Sequence, residues 1–185
     1  GVEKPARYVG GEVNSIRKDP EKQRIKVCLA FPDVYEIGQS YMGFHILYHI
    51  LNTRQETLCE RAFAPWPDME RVMRSENLPL WSVESCLPLS TFDVIGFTLQ
   101  YELHYTTILN MLDLAGIPFR SSERDNSHPL IIGGGASCAN PEPMAEFFDA
   151  FLLGDGEEGF PEILDVIERS RKSGESKHEL LRGLA

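Results

Sequence analysis

Pro129-Leu130-Ile131-Ile132-Gly133-Gly134-Gly135-Ala136-Ser137 and Ala150-Phe151-Leu152-Leu153-Gly154-Asp155-Gly156 follow one plan, a short apolar run that ends in glycines. Runs of this length without alternation read as strands buried on both faces, the habit of parallel sheets. Glycines at their carboxyl ends bring bare backbone up to a surface. Ligands of open parallel sheets bind in the crevice beyond the carboxyl ends of the strands, so both clusters are expected on one rim.

Working outward, the same alternation of apolar run and helical period fills the chain. Ile25–Phe31 is the first strand, closed by Pro32; Asp33–Gly38 is its loop, and Phe44, Leu47, Tyr48 and Leu51 mark a helix over 41–52. Leu58–Ala64 reads as a second strand, Pro67 opens a helix to about Glu76, and Leu80–Val83 reads as a short extra strand. Val94–Thr98 is the third main strand, with a helix over 102–115 stopped by Gly116 and Pro118. Leu130–Ile132 is the fourth, followed by a loop to Asn140 and a helix opened by Pro141 or Pro143. Ala150–Leu153 is the fifth, and its helix carries Phe160, Ile163, Leu164 and Ile167. Five strand and helix pairs predict an α/β fold with a doubly wound, five-stranded parallel sheet, flavodoxin-like in its order 2-1-3-4-5, with helices on both faces. Residues 1–24 read as an amino-terminal arm, 25–172 as the domain, and 173–185 as a further helix or linker.

Composition narrows the function classes. The 185 residues are enough for one domain burying roughly 70% of its extended surface. With 28 acidic against 18 basic residues the formal charge is -10 and no basic stripe interrupts it, which argues against nucleic acid as a partner. No apolar run approaches the roughly 20 residues of a spanning helix, and no signal-peptide core is present, so no membrane is expected. Cys28, Cys59, Cys86 and Cys138 are far apart, which fits reduced thiols in a cytoplasmic protein.

In the predicted order the loops Asp33–Gly38, Thr98–Glu102 and Gly133–Ser137 meet. There the chain resembles the cobalamin-binding domains of this Rossmann-like fold. Those carry Asp-x-His-x-x-Gly after the first strand, Ser-x-Leu after the third and a glycine pair after the fourth; this chain has Asp33-Val34-Tyr35-Glu36-Ile37-Gly38, Thr98-Leu99-Gln100 and Gly133-Gly134. Gly154-Asp155-Gly156-Glu157-Glu158 resembles the Gly-Glu-Gly-Glu ending of such domains before a radical S-adenosylmethionine core. Lys4–Tyr8, Phe31–Glu36, Phe63–Met69 and Leu99–Leu103 are similar to the amino-terminal segment of a largely uncharacterised group of radical S-adenosylmethionine proteins. The resemblance implies the front domain of a longer enzyme, with cobalamin as the cofactor. The iron–sulfur cluster and S-adenosylmethionine would belong to a downstream domain, which is then the partner, because Cys-x-x-x-Cys-x-x-Cys is absent here. The residues implied are Asp33, Tyr35, Gly38, Thr98, Gln100, Gly133 and Gly134, with Tyr101 on the same turn, Gly135, Ala136 and Ser137 in the glycine loop, and Gly154, Asp155 and Gly156. Tyr35 stands where the family has the cobalt-ligating histidine, which implies a lower face covered by Tyr35, Ile37 and Tyr41 without a protein nitrogen.

Each motif has a plainer reading. Gly133–Ser137 also suits a tight turn. Gly154–Gly159 spells GxGxxG, but three carboxylates stand where a pyrophosphate would bind; Asp155, Glu157 and Glu158 suit the positive end of a helix better. Tyr101 and Tyr105 suit a core stripe as well as a crevice. His45 and His49 share a helix face without an evident third ligand, so no metal site is expected. Cys138 has nothing beside it to lower its pKa, and no nucleophile and base converge, so no catalytic residue is expected and the isolated chain should bind and orient without turnover. A nucleotide- or flavin-binding domain, or a docking domain without cofactor, are the alternatives on the same fold.

Overall fold

The computed structural model describes residues 1–185. Five strands form one parallel sheet in the order β2-β1-β3-β4-β5. They are β1 (Ile25–Phe31), β2 (Thr57–Phe63), β3 (Val94–Thr98), β4 (Leu130–Gly134) and β5 (Ala150–Leu152). The helices are α1 (Tyr35–Gln39), α2 (Met42–Thr53), α3 (Pro67–Glu76), α4 (His104–Leu114), α5 (Gly156–Ser173) and α6 (Lys177–Leu184). The predicted order and class hold, and the reason is visible in the side chains. Successive residues of β1 point to opposite faces, Ile25, Val27, Leu29 and Phe31 to one core and Cys28 and Ala30 to the other. The first core is closed by Phe44, Tyr48 and Leu51 of α2 with Phe160, Leu164 and Ile167 of α5; the second by Met69 and Met73 of α3 with Ile108, Met111 and Leu112 of α4.

Four local readings change. Asp33–Gly38 is not all loop, because α1 forms within it. Leu80–Val83 is not a strand: its amides donate to Leu114, Leu87 and Arg61 in turn, and the segment makes only an isolated antiparallel bridge, Trp81 with Pro88. No α-helix links β4 to β5. Pro141 and Pro143 withhold two amide donors within one turn, so the chain makes only 3-10 turns at Ala136–Ala139 and Glu142–Met144 while Met144 and Phe148 drop into the core. Finally, β5 ends at Leu152, leaving Leu153 exposed.

The two edges of the sheet differ. Every residue of β2 is buried although it is an edge strand, because residues 78–92 and the first 24 residues cover it. Lys18 Nζ donates to the carbonyls of Asn52, Arg54 and Thr57, and the Ile16 amide donates to the Tyr48 hydroxyl at 2.7 Å. Arg61 of β2 is held by Glu84, with Nε 2.6 Å from Oε1, and lies 4.4 Å from the Tyr48 ring centroid. An edge protected in this way offers no template for a further strand. At the other end α6 is anchored by Lys177, 2.7 Å from the buried Asp149, and begins with a capping box between Ser176 and Glu179.

Candidate functional site

Parallel register brings the carboxyl ends of β1, β3, β4 and β5 to one rim, with Ala30 beside Phe97 and Thr98 beside Gly134. Two backbone bonds tie the loops beyond: the Leu99 amide donates to the Gly134 carbonyl at 2.7 Å, and the Ser137 amide to the Leu99 carbonyl at 3.0 Å. This close approach is what Gly135 permits. Its φ of +119° disfavours any side chain, and a Cβ there would stand 2.6 Å from the Leu99 oxygen. Gly134 is different, since a Cβ there would meet nothing within 4 Å. It faces a slot of about 210 Å³, floored by Leu29, Ile132 and Phe160 and bounded by α2 and the start of α5.

Of the residues singled out from sequence, Thr98, Gly133, Gly134, Gly135, Gly154 and Gly156 line this slot. Gln100 stands at its mouth, accepting from the Tyr41 hydroxyl at 2.9 Å. Ala136 and Ser137 turn away into the 3-10 turn, and Asp155 is the N-cap of α5 without making a side-chain cap bond. Tyr35 and Gly38 do not line the slot. The Tyr35 hydroxyl donates to Glu12 at 2.6 Å and its ring packs edge-on to Phe63; burial and that carboxylate push its pKa up to about 12. Gly38 is close-packed, since a Cβ there would sit 2.4 Å from the Phe63 ring. Cys138 is buried, which pushes its thiol up to about 11.

One residue of this rim escaped the sequence reading. His104, the first residue of α4, is 3% exposed, and neither ring nitrogen makes a well-aligned hydrogen bond, although the Thr98 backbone acts on the ring. Its Nε2 is 3.9 Å from Asp33 Oδ2, and the Tyr101 ring lies over it with centroids 4.0 Å apart. Burial holds its pKa below the ordinary imidazole value against the opposing pull of Asp33 and the Thr98 backbone, so the ring is neutral at pH 7. The signal was available: His104 heads the inward stripe of Ile108, Met111 and Leu112. What Asp33 has beside it is thus an imidazole from the start of α4.

Around the slot the rim is apolar. Ile37, Tyr41, Met42, Tyr101, Leu103 and Leu153, all from the segments that follow β1, β3 and β5, are between 38% and 80% exposed. They are half of the large hydrophobics exposed anywhere on the chain, and such clustering marks a surface that something covers. The slot itself is smaller than the ~300–1,000 Å³ that encloses a whole drug-sized ligand. It admits one ring system, and the remainder of a larger ligand would rest on the rim. The acidic groups at the α5 start, Glu157 in the slot and Glu158 beside it, repel a polyphosphate.

Residues 43–185 match the family described as radical SAM proteins, N-terminal. The chain belongs to this family. Over 144 residues it is also 26% identical to an uncharacterised protein of Methanocaldococcus jannaschii, covering 77% of this chain and 26% of that protein. The chain therefore spans about a quarter of the length of the curated relative it matches. No helix of this radical SAM amino-terminal domain is long and apolar enough to cross a membrane.

Proposed function

We propose that this chain is the cofactor-binding front domain of a radical SAM enzyme, and that the cofactor it holds is a corrinoid. The observation that carries the reading is the bare slot of about 210 Å³ opening at Gly134 onto the apolar rim. Gly134, Gly154 and Thr98 would hold the nucleotide tail. Tyr41, Met42 and Leu103 would meet the broad face, and Gln100 would offer an amide to the ring's polar edge. A bound corrinoid supplies a cobalt that exchanges axial ligands and carries a methyl group. The chain's own residues bind it, orient it and exclude water. The iron–sulfur cluster and S-adenosylmethionine that the family implies belong to the catalytic domain of the longer protein, which is the partner for this rim.

The apolar rim also favours a second reading, a domain that docks on the catalytic domain and holds no cofactor. Titration of the full-length protein with hydroxocobalamin, FMN and ATP separates the readings. A shifted visible spectrum and thermal stabilisation with hydroxocobalamin alone are expected. Stabilisation by FMN or ATP instead would replace the corrinoid with a nucleotide, and no response to any of them would leave the docking role.

A further inference from the structure

At the opposite pole from the rim, beside the saturated Asp93 and Asp149, one buried polar group is left without a partner. The inward stripe of α5 runs Phe160, Leu164, Ile167 and then Ser170, a hydroxyl where the period asks for an apolar side chain. Buried polar groups are paired as a rule. Ser170 is 4% exposed and its hydroxyl makes no hydrogen bond, whereas Ser173 in the same helix donates to the Arg169 carbonyl at 3.1 Å, as helical serines commonly do. Ser170 lines instead a cleft of about 150 Å³ between the end of α5, the start of α6 and the residues before β3 and β4. Leu130, Ile167 and Leu180 supply its apolar wall. Both cations of the cleft are compensated: Arg171 lies 2.8 Å from Asp93, and Lys177 lies 2.7 Å from Asp149 and donates to the Arg124 carbonyl at 3.0 Å. Its acids are not all engaged. The Glu175 carboxylate accepts no hydrogen bond, and Asp125 uses one oxygen only, toward Ser127 and His128. The carbonyl end of α5 adds negative potential.

We propose that this cleft is a binding site for a small aliphatic amine, its ammonium head held by Glu175 and the Ser170 hydroxyl and its hydrocarbon stem laid on Leu130, Ile167 and Leu180. A free carboxylate, a negative helix end and no uncompensated cation select positive charge and reject a carboxylate or phosphate. The ammonium donates to Glu175 and to the Ser170 oxygen, which satisfies the one polar group that the fold leaves unpaired. A volume of about 150 Å³, below the ~300–1,000 Å³ of pockets for drug-sized ligands, limits the occupant to a few heavy atoms. The same chemistry ends a lysine side chain, so a partner's lysine is the other source of the head group. The cleft shares no residue with the slot at the rim, and the two sites stand or fall separately.

The test is isothermal titration calorimetry of the full-length protein with n-butylamine at fixed ionic strength, against n-butanol, butyrate, tetramethylammonium and Nα-acetyl-lysinamide. The expected result is saturable binding of n-butylamine at one site, with no binding of n-butanol or butyrate. Glu175→Gln should weaken it about tenfold and Ser170→Ala about threefold. Because the Ser170 hydroxyl makes no bond within the fold, Ser170→Ala should leave the unfolding temperature unchanged or higher, which a merely structural serine would not. Ser170→Leu restores the apolar stripe, fills the cleft and should abolish binding. Tighter binding of Nα-acetyl-lysinamide than of n-butylamine would keep the contacts and assign the head group to a partner's lysine. Absence of n-butylamine binding, or binding that Glu175→Gln does not weaken, overturns the proposal. So does equal binding of tetramethylammonium, which would mean only a general attraction of cations to an acidic chain.

Discussion

The two ends of the one sheet are built to opposite specifications. At the amino end, Asp93 accepts from the Lys26 amide at 2.6 Å and from Arg171 at 2.8 Å, and the buried Asp149 accepts from the Ile131 amide, Ser121, Arg124 and Lys177. Each aspartate closes the strand beside its own and ties down a helix or turn. At the carboxyl end the glycines of β4 and those that follow β5 leave a slot, six large apolar side chains face outward, and the His104 ring makes no well-aligned hydrogen bond. The difference separates what the fold needs from what it presents. Saturated charge at one end stabilises the sheet, whereas the unsatisfied end is where, on the proposed reading, a ligand or partner would gain by binding.

The largest expected effect tests the closed end. Asp149→Ala removes the counter-charge of Arg124 and Lys177 and strands a guanidinium whose side chain is fully buried, which costs about 3–5 kcal/mol by urea unfolding. Unchanged stability would mean that this end is not what holds the sheet. Gly135→Ala should come next, at about 1–3 kcal/mol, because it combines a φ of +119° with a 2.6 Å approach to the Leu99 oxygen. Gly134→Leu sharpens the contrast one residue away. Its side chain enters open space, so stability should move by less than about 1 kcal/mol while hydroxocobalamin binding to the full-length protein falls at least tenfold. A stable Gly134→Leu variant that binds as well as wild type would remove the slot from the argument.

Two smaller effects probe burial and surface charge. Cys28 and Cys59 have thiols pushed well up by burial and Cys138 stands at about 11, whereas Cys86 is exposed. A maleimide at pH 7.5 should therefore modify the native protein at Cys86, and the other thiols only on denaturation. Mass spectrometry showing Cys138 labelled in the native state would mean that the β4 rim opens. The smallest concerns Asp125, whose carboxyl is held down to about 2 by Ser127 and His128. A depressed folded-state pKa stabilises above the unfolded value and is lost as pH falls through the folded one, so Asp125→Asn should lower stability slightly at pH 7, flatten the profile between about pH 4 and pH 2, and matter little below pH 2.

Much of the fold was legible because buried strands declare themselves by unbroken apolar runs. Ile25–Phe31 and Val94–Thr98 coincide with β1 and β3, and Pro67–Glu76 with α3. Where the reading departed, long-range packing overrode a local pattern. Leu80–Val83 has strand-like residues, but its amides are shared among three partners, and the residues after Pro141 are drawn into the core by Met144 and Phe148 before a helix can form. Tyr35 sits at the motif position, yet its hydroxyl is engaged by Glu12 of the arm, a contact no local window contains.

The sequence by itself determined the order of elements, the parallel sheet and the glycine-lined rim, since periodicity and glycine placement act within a few residues. Which side chains meet across that rim was decided by the tertiary structure alone. Asp33 follows β1 and His104 opens α4, and only the parallel pairing of β1 with β3 sets a carboxylate 3.9 Å from an imidazole contributed by a distant helix.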